Sequence, residues 1–165
     1  MTVERFTRTV ILWSTILLVT ATTVGAAPAR ALTGEDKQTL AVMAMQWVID
    51  GGLADFKLIP DPNTLLVANV GLPKGFTLTL PGRKVTIQSP VKIQARADLG
   101  TDLLYFRLGP FAGTDERPSV SVALQWAVSV RRASQQPALG SGATLEFERR
   151  AGTWHLLPVT QRWTL

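Results

Sequence analysis

The chain has 165 residues, with no cysteine, a single histidine and a single tyrosine, and only 18% of its residues are charged. The lack of cysteine excludes disulfide bonds, cysteine-ligated metals, cysteine nucleophiles and redox pairs. The histidine, His155, is predicted to point outward, and no acidic partner can be assigned to orient it as a Ser-His-Asp arrangement requires. We therefore predict no catalytic residues, no metal site and no cofactor.

The positive charge of the chain is small and scattered. Lysine and arginine number 17 and aspartate and glutamate number 12, which gives a formal charge of +5. Arg131 and Arg132 lie in a predicted loop, whereas Arg149 and Arg150 follow two glutamates. Binding of single-stranded nucleic acid needs a basic stripe alternating with aromatic side chains, and this sequence has none. We expect no nucleic-acid partner.

The first 31 residues have the pattern of a secretory signal peptide. Arg5 and Arg8 precede an apolar segment over residues 10–19, and Ala29 and Ala31 occupy the small-residue positions of a signal-peptidase site. We expect cleavage after Ala31, with Ala29 as the alternative, and hence a secreted or periplasmic protein.

Cleavage would remove three arginines and one glutamate, so the formal charge would fall from +5 to +3. It would leave residues 32–165, which are enough for one domain. An uncleaved anchor is the alternative, because residues 10–29 are long enough to span a bilayer. With cleavage, membrane contact is expected only through the signal segment before its removal.

The longest regular pattern begins at Val120, where every second residue is apolar for eleven residues: Val120, Val122, Leu124, Trp126, Val128 and Val130. This period of two predicts a long strand with one face on a core. After a polar loop the alternation resumes over residues 143–148, and a turn at 150–153 leads to Trp154. We predict two long antiparallel hairpins that share one apolar face.

A helix is predicted to begin at Thr33, whose hydroxyl can cap the free amides of the first turn. Apolar residues follow at helical spacing, and glycines at 51 and 52 end the pattern. Shorter strands are predicted near 65–70, 76–80, 85–87 and 104–108. The expected fold class is α+β, with one long N-terminal helix packed on a curved antiparallel sheet in a cone-like, two-layer domain.

Residues 91–97 are ambiguous. Alternating apolar residues there suit a strand, whereas Ser89 followed by Pro90 suits the cap and first position of a helix. We favour a short helix that ends near Asp98.

Four aromatic side chains lie on, or one position from, the inward stripes: Trp47, Tyr105, Trp126 and Trp154. Aromatic residues in such places commonly fill a core. The functional interpretation is an apolar pocket at the open end of the helix and the curled sheet, lined by these rings and able to bind a small apolar ligand.

The other face of the long strand carries small or uncharged residues: Ser121, Ala123, Gln125, Ala127 and Ser129. A solvent-exposed face is normally richer in charge. We therefore expect this face to pack against the same face of a second copy, which would form a homodimer. An edge position or an accident of composition is the alternative.

The segment from Gly142 to Trp154 resembles the last hairpin of nuclear-transport-factor-2-like proteins, in which a strand, a basic residue, glycine and tryptophan follow one another. With the segment from Tyr105 to Phe111 (YFRLGPF), the chain is similar to uncharacterised bacterial secreted proteins of that superfamily. The resemblance implies a cone-shaped α+β fold, although the family typically packs about three helices in its amino-terminal part. Its members include isomerases, dehydratases, cyclases, binding proteins and dimerisation modules, so the fold does not decide the activity.

Our expectation is therefore an exported binding or interaction protein with an apolar pocket and no identifiable catalysis. One alternative is a cone-type isomerase or dehydratase-like enzyme acting on a small hydrophobic substrate, with Tyr105, Asp55 or Asp102 as acid or base. Another is a structural protein of the cell envelope that uses its Ser/Ala face. An enzyme would need an ionisable side chain buried at the floor of its cavity.

Overall fold

The computed structural model describes residues 31–133 and 140–164. Within these residues the chain forms an α+β domain, with a few helices packed on a curled, half-barrel mixed sheet. The predicted signal segment, apart from Ala31, lies outside the described residues, and so does Ala29.

Three α-helices lie in the described part of the chain: α1 (Gly34–Trp47), α2 (Pro90–Asp98) and α3 (Val130–Ala133). A π-helical turn over Val48–Gly52 continues α1, and a 3₁₀ turn over Ala54–Leu58 follows it. None of the helices in these residues has both the length and the apolar character needed to cross a bilayer.

Helix α1 begins where the sequence predicts. The Thr33 hydroxyl accepts a hydrogen bond from the Asp36 amide at 3.1 Å, and the Asp36 carboxylate accepts one from the Thr33 amide at 3.2 Å. This reciprocal capping box satisfies two amides that the helix itself leaves unpaired. At the other end, Gly51 adopts a φ of 97°, which glycine tolerates without strain.

The sheet has seven strands in the described residues: β1 (Thr64–Ala68), β2 (Lys84–Gln88), β3 (Leu103–Gly113), β4 (Pro118–Ala127), β5 (Gly140–Arg150), β6 (Thr153–Leu156) and β7 (Gln161–Thr164). Their order is β2-β1-β3-β4-β5-β6, and β7 also pairs with β5. Strand β1 runs parallel to both β2 and β3, whereas the other pairs are antiparallel. The expected antiparallel pairing is therefore found in most of the sheet, but β1 pairs in parallel with both of its neighbours.

The cause lies in residues 69–83, where the alternation suggested a strand at 76–80. This segment forms no strand, although Leu78 and Leu80 are buried in the core. It serves instead as the crossover that parallel pairing of β1 and β2 requires. The alternating pattern therefore indicates that two leucines are buried, but it does not indicate that the segment pairs as a strand.

Helix α2 confirms the helical interpretation of residues 91–97. The Ser89 hydroxyl accepts a hydrogen bond from the Lys92 amide at 3.3 Å, and Pro90 occupies the first turn. Ile93 and Ala97 are buried. The alternating apolar residues thus divide between two sides of a helix.

Strands β4 and β5 form the long antiparallel pair that was predicted, with Val120 opposite Leu145. The apolar stripe of β4 is fully buried as far as Leu124, but the strand ends at Ala127. Val130 is 68% exposed because it begins α3, so the predicted stripe is wrong at that end.

Helix α1 covers the inner face of the sheet, where the fully buried side chains include Leu40, Met45, Phe106, Leu108, Leu145 and Phe147. A second, smaller cluster lies on the opposite face, where α2 packs on Ala68 and Ala127. The alternation of strand residues places the two clusters on opposite sides. Part of the sheet is therefore covered on both faces, which the two-layer expectation did not include.

Candidate binding cleft

The aromatic residues predicted to line one pocket are distributed over the molecule. Trp154 and Tyr105 border two different concavities. Trp47 ends α1, and half-buried Trp126 stands opposite Leu104 of β3. The four rings that were predicted to line one pocket therefore lie in different places, and each has different neighbours.

Trp154 belongs to a polar network that joins β6 to the first turn of α1. Its indole Nε1 donates to Asp36 Oδ1 at 3.3 Å, and Arg149 Nη2 lies 3.5 Å from the same oxygen. The hydrogen bond from the Thr33 hydroxyl is the main cause that lowers the pKa of Asp36 below its ordinary value, against the opposing effect of burial. Because the Asp36 carboxylate is bound by partners within the chain, this network has a structural role: it joins the first turn of α1 to β5 and β6.

Tyr105 lies on the outer face of the sheet, in an open groove of about 480 Å³ beside α2 that Val91 and Ala127 also line. Its hydroxyl donates to Gln125 Oε1 at 3.0 Å. Burial raises the pKa of Tyr105 above its ordinary value, and Arg107 opposes the shift. The hydroxyl therefore keeps its proton at neutral pH, which does not suit a general base.

The Ser/Ala face of β4 already has partners within the chain. Ala127 is 6% exposed and packs in the cluster under α2, and Gln125 accepts the hydrogen bond from Tyr105. The Ser121 hydroxyl lies 3.5 Å from the Thr144 hydroxyl of β5. The small side chain at position 127 leaves room for α2, which explains part of the composition that drew attention to this face.

A different concavity lies beyond the carboxyl end of α1, where the chain after the π-helical turn approaches β5 and β7. This binding cleft has a volume of about 350 Å³. Residues from three distant parts of the sequence line it: Gly52, Leu53, Ala54, Asp55, Ser141, Gly142, Arg162, Trp163 and Thr164.

Trp47 contacts two residues that line the binding cleft, Gly52 and Arg162. A Cβ atom on Gly52 would lie 2.3 Å from Cδ2 of the Trp47 indole, so only glycine allows this approach. The Arg162 guanidinium carbon lies 5.4 Å from the centroid of the same ring, within cation–π range. The ring therefore contacts one lining residue and orients another, although it was predicted to touch the ligand itself.

Trp163 forms a wall of the cleft and lies flat against β5. It pairs in register with Gly142, where a Cβ atom would lie 2.5 Å from Cε2 of the indole. Sequence reasoning missed Arg162 and Trp163 because β7 is four residues long and has no apolar alternation. The one local signal was glycine at 142, which comes at the end of the predicted polar loop.

The cleft combines positive charge with unpaired hydrogen-bonding capacity. Within residues 31–133 and 140–164, Arg162 has no ion-pair partner, and the buried Ser141 hydroxyl has no hydrogen-bond partner. Among the lining residues that the structure describes, half-buried Asp55 is the only one with an acidic side chain. No group of three or more metal-ligating side chains occurs in the part of the chain that the structure describes.

The three predicted acid or base candidates are separated. Asp55 lines the binding cleft, Tyr105 lies in the groove beside α2, and Asp102 forms an ion pair with Arg132 of α3. No protein-family model, curated protein or solved structure matches the chain. The chemistry of the cleft is therefore inferred from its lining residues.

Proposed function

We propose that this protein is a binding domain whose cleft takes a small amphipathic molecule with an aromatic or apolar body and an anionic group. The observation that carries the proposal is Arg162, a guanidinium without an ion-pair partner in the described residues, held over Trp47 at the edge of a cleft. An arginine that is oriented before the ligand arrives suits a carboxylate, sulfonate or phosphate.

The other lining residues supply the apolar half of the site. Trp163, Leu53 and Ala54 are the apolar residues of the lining. The volume of about 350 Å³ is at the lower end of the range for small-molecule sites, which are mostly apolar with a few placed polar groups. An aromatic body of two or three rings fits these dimensions.

We also propose that the protein is exported and that its domain is a variant of the cone-shaped, nuclear-transport-factor-2-like fold. The β5–β6 hairpin with its glycine turn, and α1 lying on the inner face of a curled sheet, support the second proposal. The capped start of α1 at Thr33, two residues after Ala31, agrees with a mature domain that begins near residue 32.

One observation favours the enzymatic alternative, a cone-type isomerase or dehydratase-like activity. Asp55 lines the same cleft as Arg162, so a carboxylate and a guanidinium border one space. The enzymatic alternative needs an ionisable side chain buried at the floor of the cavity, whereas Asp55 is only half-buried. Binding is therefore the leading proposal.

The proposal is tested with 1-anilinonaphthalene-8-sulfonate, a fluorescent probe with an aromatic body and one negative charge, and with its uncharged relative N-phenyl-1-naphthylamine. We expect the protein to bind the sulfonate more tightly. Arg162→Gln should weaken sulfonate binding about tenfold, as expected for loss of one charge-assisted contact, and leave binding of the neutral probe within about twofold. Fluorescence titration measures both affinities.

Arg83→Gln is the matched control, since Arg83 also lies over an aromatic ring, that of Phe56, at 5.8 Å but outside the cleft. It should leave both affinities unchanged. Equal affinity for the two probes, or a loss with Arg83→Gln equal to that with Arg162→Gln, would contradict the proposed site.

A further inference from the structure

Helix α2 has a second apolar side that faces away from the protein. Ile93 and Ala97 pack against the sheet and are 1% and 0% exposed. Val91, Ala95 and Leu99 follow one another at four-residue spacing on the other side of the helix. Val91 is 78% exposed and Leu99 is 87% exposed, so this side forms a ridge in solvent.

Val130 extends this ridge beyond the end of α2. Its amide donates to Asp98 Oδ1 at 3.0 Å, and Gln94 Nε2 donates to the Val128 carbonyl at 2.8 Å. These bonds fix the start of α3 beside the end of α2, where Leu99 and Val130 border one concavity. We call Val91, Ala95, Leu99 and Val130 the apolar crest.

One flank of the apolar crest is basic. Lys92 and Arg96 each follow a crest residue by one position, which places them in a parallel row along the helix, and both are exposed. The carboxylate of Asp98 on the other flank accepts hydrogen bonds from Gln94 and from the Val130 amide. The charge offered to a partner along the ridge is therefore predominantly positive.

We propose that the apolar crest docks on an anionic lipid surface, with its aliphatic side chains in the interfacial region and Lys92 and Arg96 at the headgroups. A helix with an exposed apolar side and a basic flank has the composition of an interfacial membrane-binding element. This contact is made by the folded domain, in addition to the contact expected of the signal segment. It does not depend on the function of the binding cleft.

A second copy of the chain fits this surface less well. Among the described residues the crest has four side chains, whereas a stable interface buries about 800 Å² on each partner. The basic flank of Lys92 and Arg96 favours a negatively charged lipid surface.

The absence of native cysteine permits a direct test on the full chain. Leu99→Cys is labelled with an environment-sensitive nitrobenzoxadiazole dye and titrated with vesicles of phosphatidylcholine, with or without about 30% phosphatidylglycerol. The dye emission should rise several-fold and shift to shorter wavelength on the anionic vesicles only. Leu58→Cys is the control, since Leu58 is also exposed, at 55%, but lies outside the crest.

The basic flank is tested by Lys92→Glu with Arg96→Glu, which should weaken binding to anionic vesicles at least about 25-fold, or about fivefold for each position. Lys57→Glu with Lys74→Glu changes the net charge equally, at two exposed lysines elsewhere, and should weaken binding less than about threefold. Every variant carries the same amino-terminal segment, so binding through that segment is common to all of them.

Three kinds of result would overturn the proposal. One is an unchanged dye at position 99, or equal dye responses at positions 99 and 58. Another is an equal response on neutral vesicles or an equal loss with the control pair of lysines. The last is a dye shift that grows with protein concentration in the absence of lipid, which would assign the crest to a second copy.

Discussion

Phe147→Ala is expected to lower the free energy of unfolding by about 3–5 kcal/mol, the usual cost of removing a phenyl ring from a core. Phe147 is 0% exposed and lies in the cluster between α1 and the inner face of β5. The cavity would be bordered by α1 and several strands, which limits how far the neighbours can relax. A domain of this kind has a total free energy of unfolding of about 5–15 kcal/mol, so a large fraction of the variant molecules would be unfolded in mild denaturant.

Urea unfolding followed by circular dichroism measures this change, and the slope of the transition should stay the same. Glu146→Ala is the matched control, because Glu146 is the preceding residue on β5 and is exposed. It should change the free energy of unfolding by no more than about 0.5 kcal/mol. A loss below about 1 kcal/mol for Phe147→Ala would show that the ring does not belong to a closely packed core.

Asp36→Ala is expected to lower the free energy of unfolding by about 2–4 kcal/mol. The change removes the carboxylate half of the capping box and leaves the Trp154 Nε1 hydrogen, which donates to Asp36 Oδ1, without its acceptor in a buried position. Arg149 loses an ion-pair partner as well. Glu35→Ala, at an exposed carboxylate in the same helical turn, should have little effect.

The pH dependence of stability gives a second measure of Asp36. Its folded-state pKa is lowered, chiefly by the hydrogen bond from the Thr33 hydroxyl, so folding favours the charged form. The stabilisation is therefore complete above the unfolded-state pKa of about 4, and it is lost as the pH falls through the folded-state pKa. Asp36→Ala should lose less stability than the unmodified chain between pH 5 and the acid limit. Equal acid sensitivity of the two proteins would contradict the role given to Asp36.

The parts of the fold that were predicted correctly depend on local signals. A threonine followed by two acidic residues marked the start of α1, and Ser89-Pro90 marked the start of α2. The period-two pattern from Val120 marked β4, where the inner face is buried as far as Leu124. Each of these signals acts within a few residues of the structure that it predicts.

The features that were missed depend on contacts between distant residues. Parallel pairing of β1 with β2 follows from the crossover at 69–83, whose alternating leucines suggested a strand instead. The cover of Ala127 by α2 joins residues that are about thirty positions apart. An alternating apolar pattern along one strand indicates that one face of the strand is buried, but it does not identify the element that covers that face.

The binding cleft was missed for the same reason, because it is formed by residues that are distant in the sequence. Its lining comes from residues 52–55, 141–142 and 162–164, and no one of these segments resembles a binding motif. Trp47 was selected as an aromatic residue near the inward stripe, yet its role in the structure is to hold Gly52 and Arg162. Sequence reasoning therefore selected Trp47, which supports the site, and Asp55, which lines it, but it missed Arg162 and Trp163.

The most direct test of the proposed cleft is a map of backbone amide chemical shifts, recorded on ¹⁵N-labelled protein during titration with 1-anilinonaphthalene-8-sulfonate. We predict that the largest shifts fall at residues 52–55, 141–142 and 162–164, and that Arg162→Gln reduces them. Shifts concentrated instead around Asp36 and Trp154, or in the groove beside Tyr105, would contradict the assignment of the cleft as the binding site.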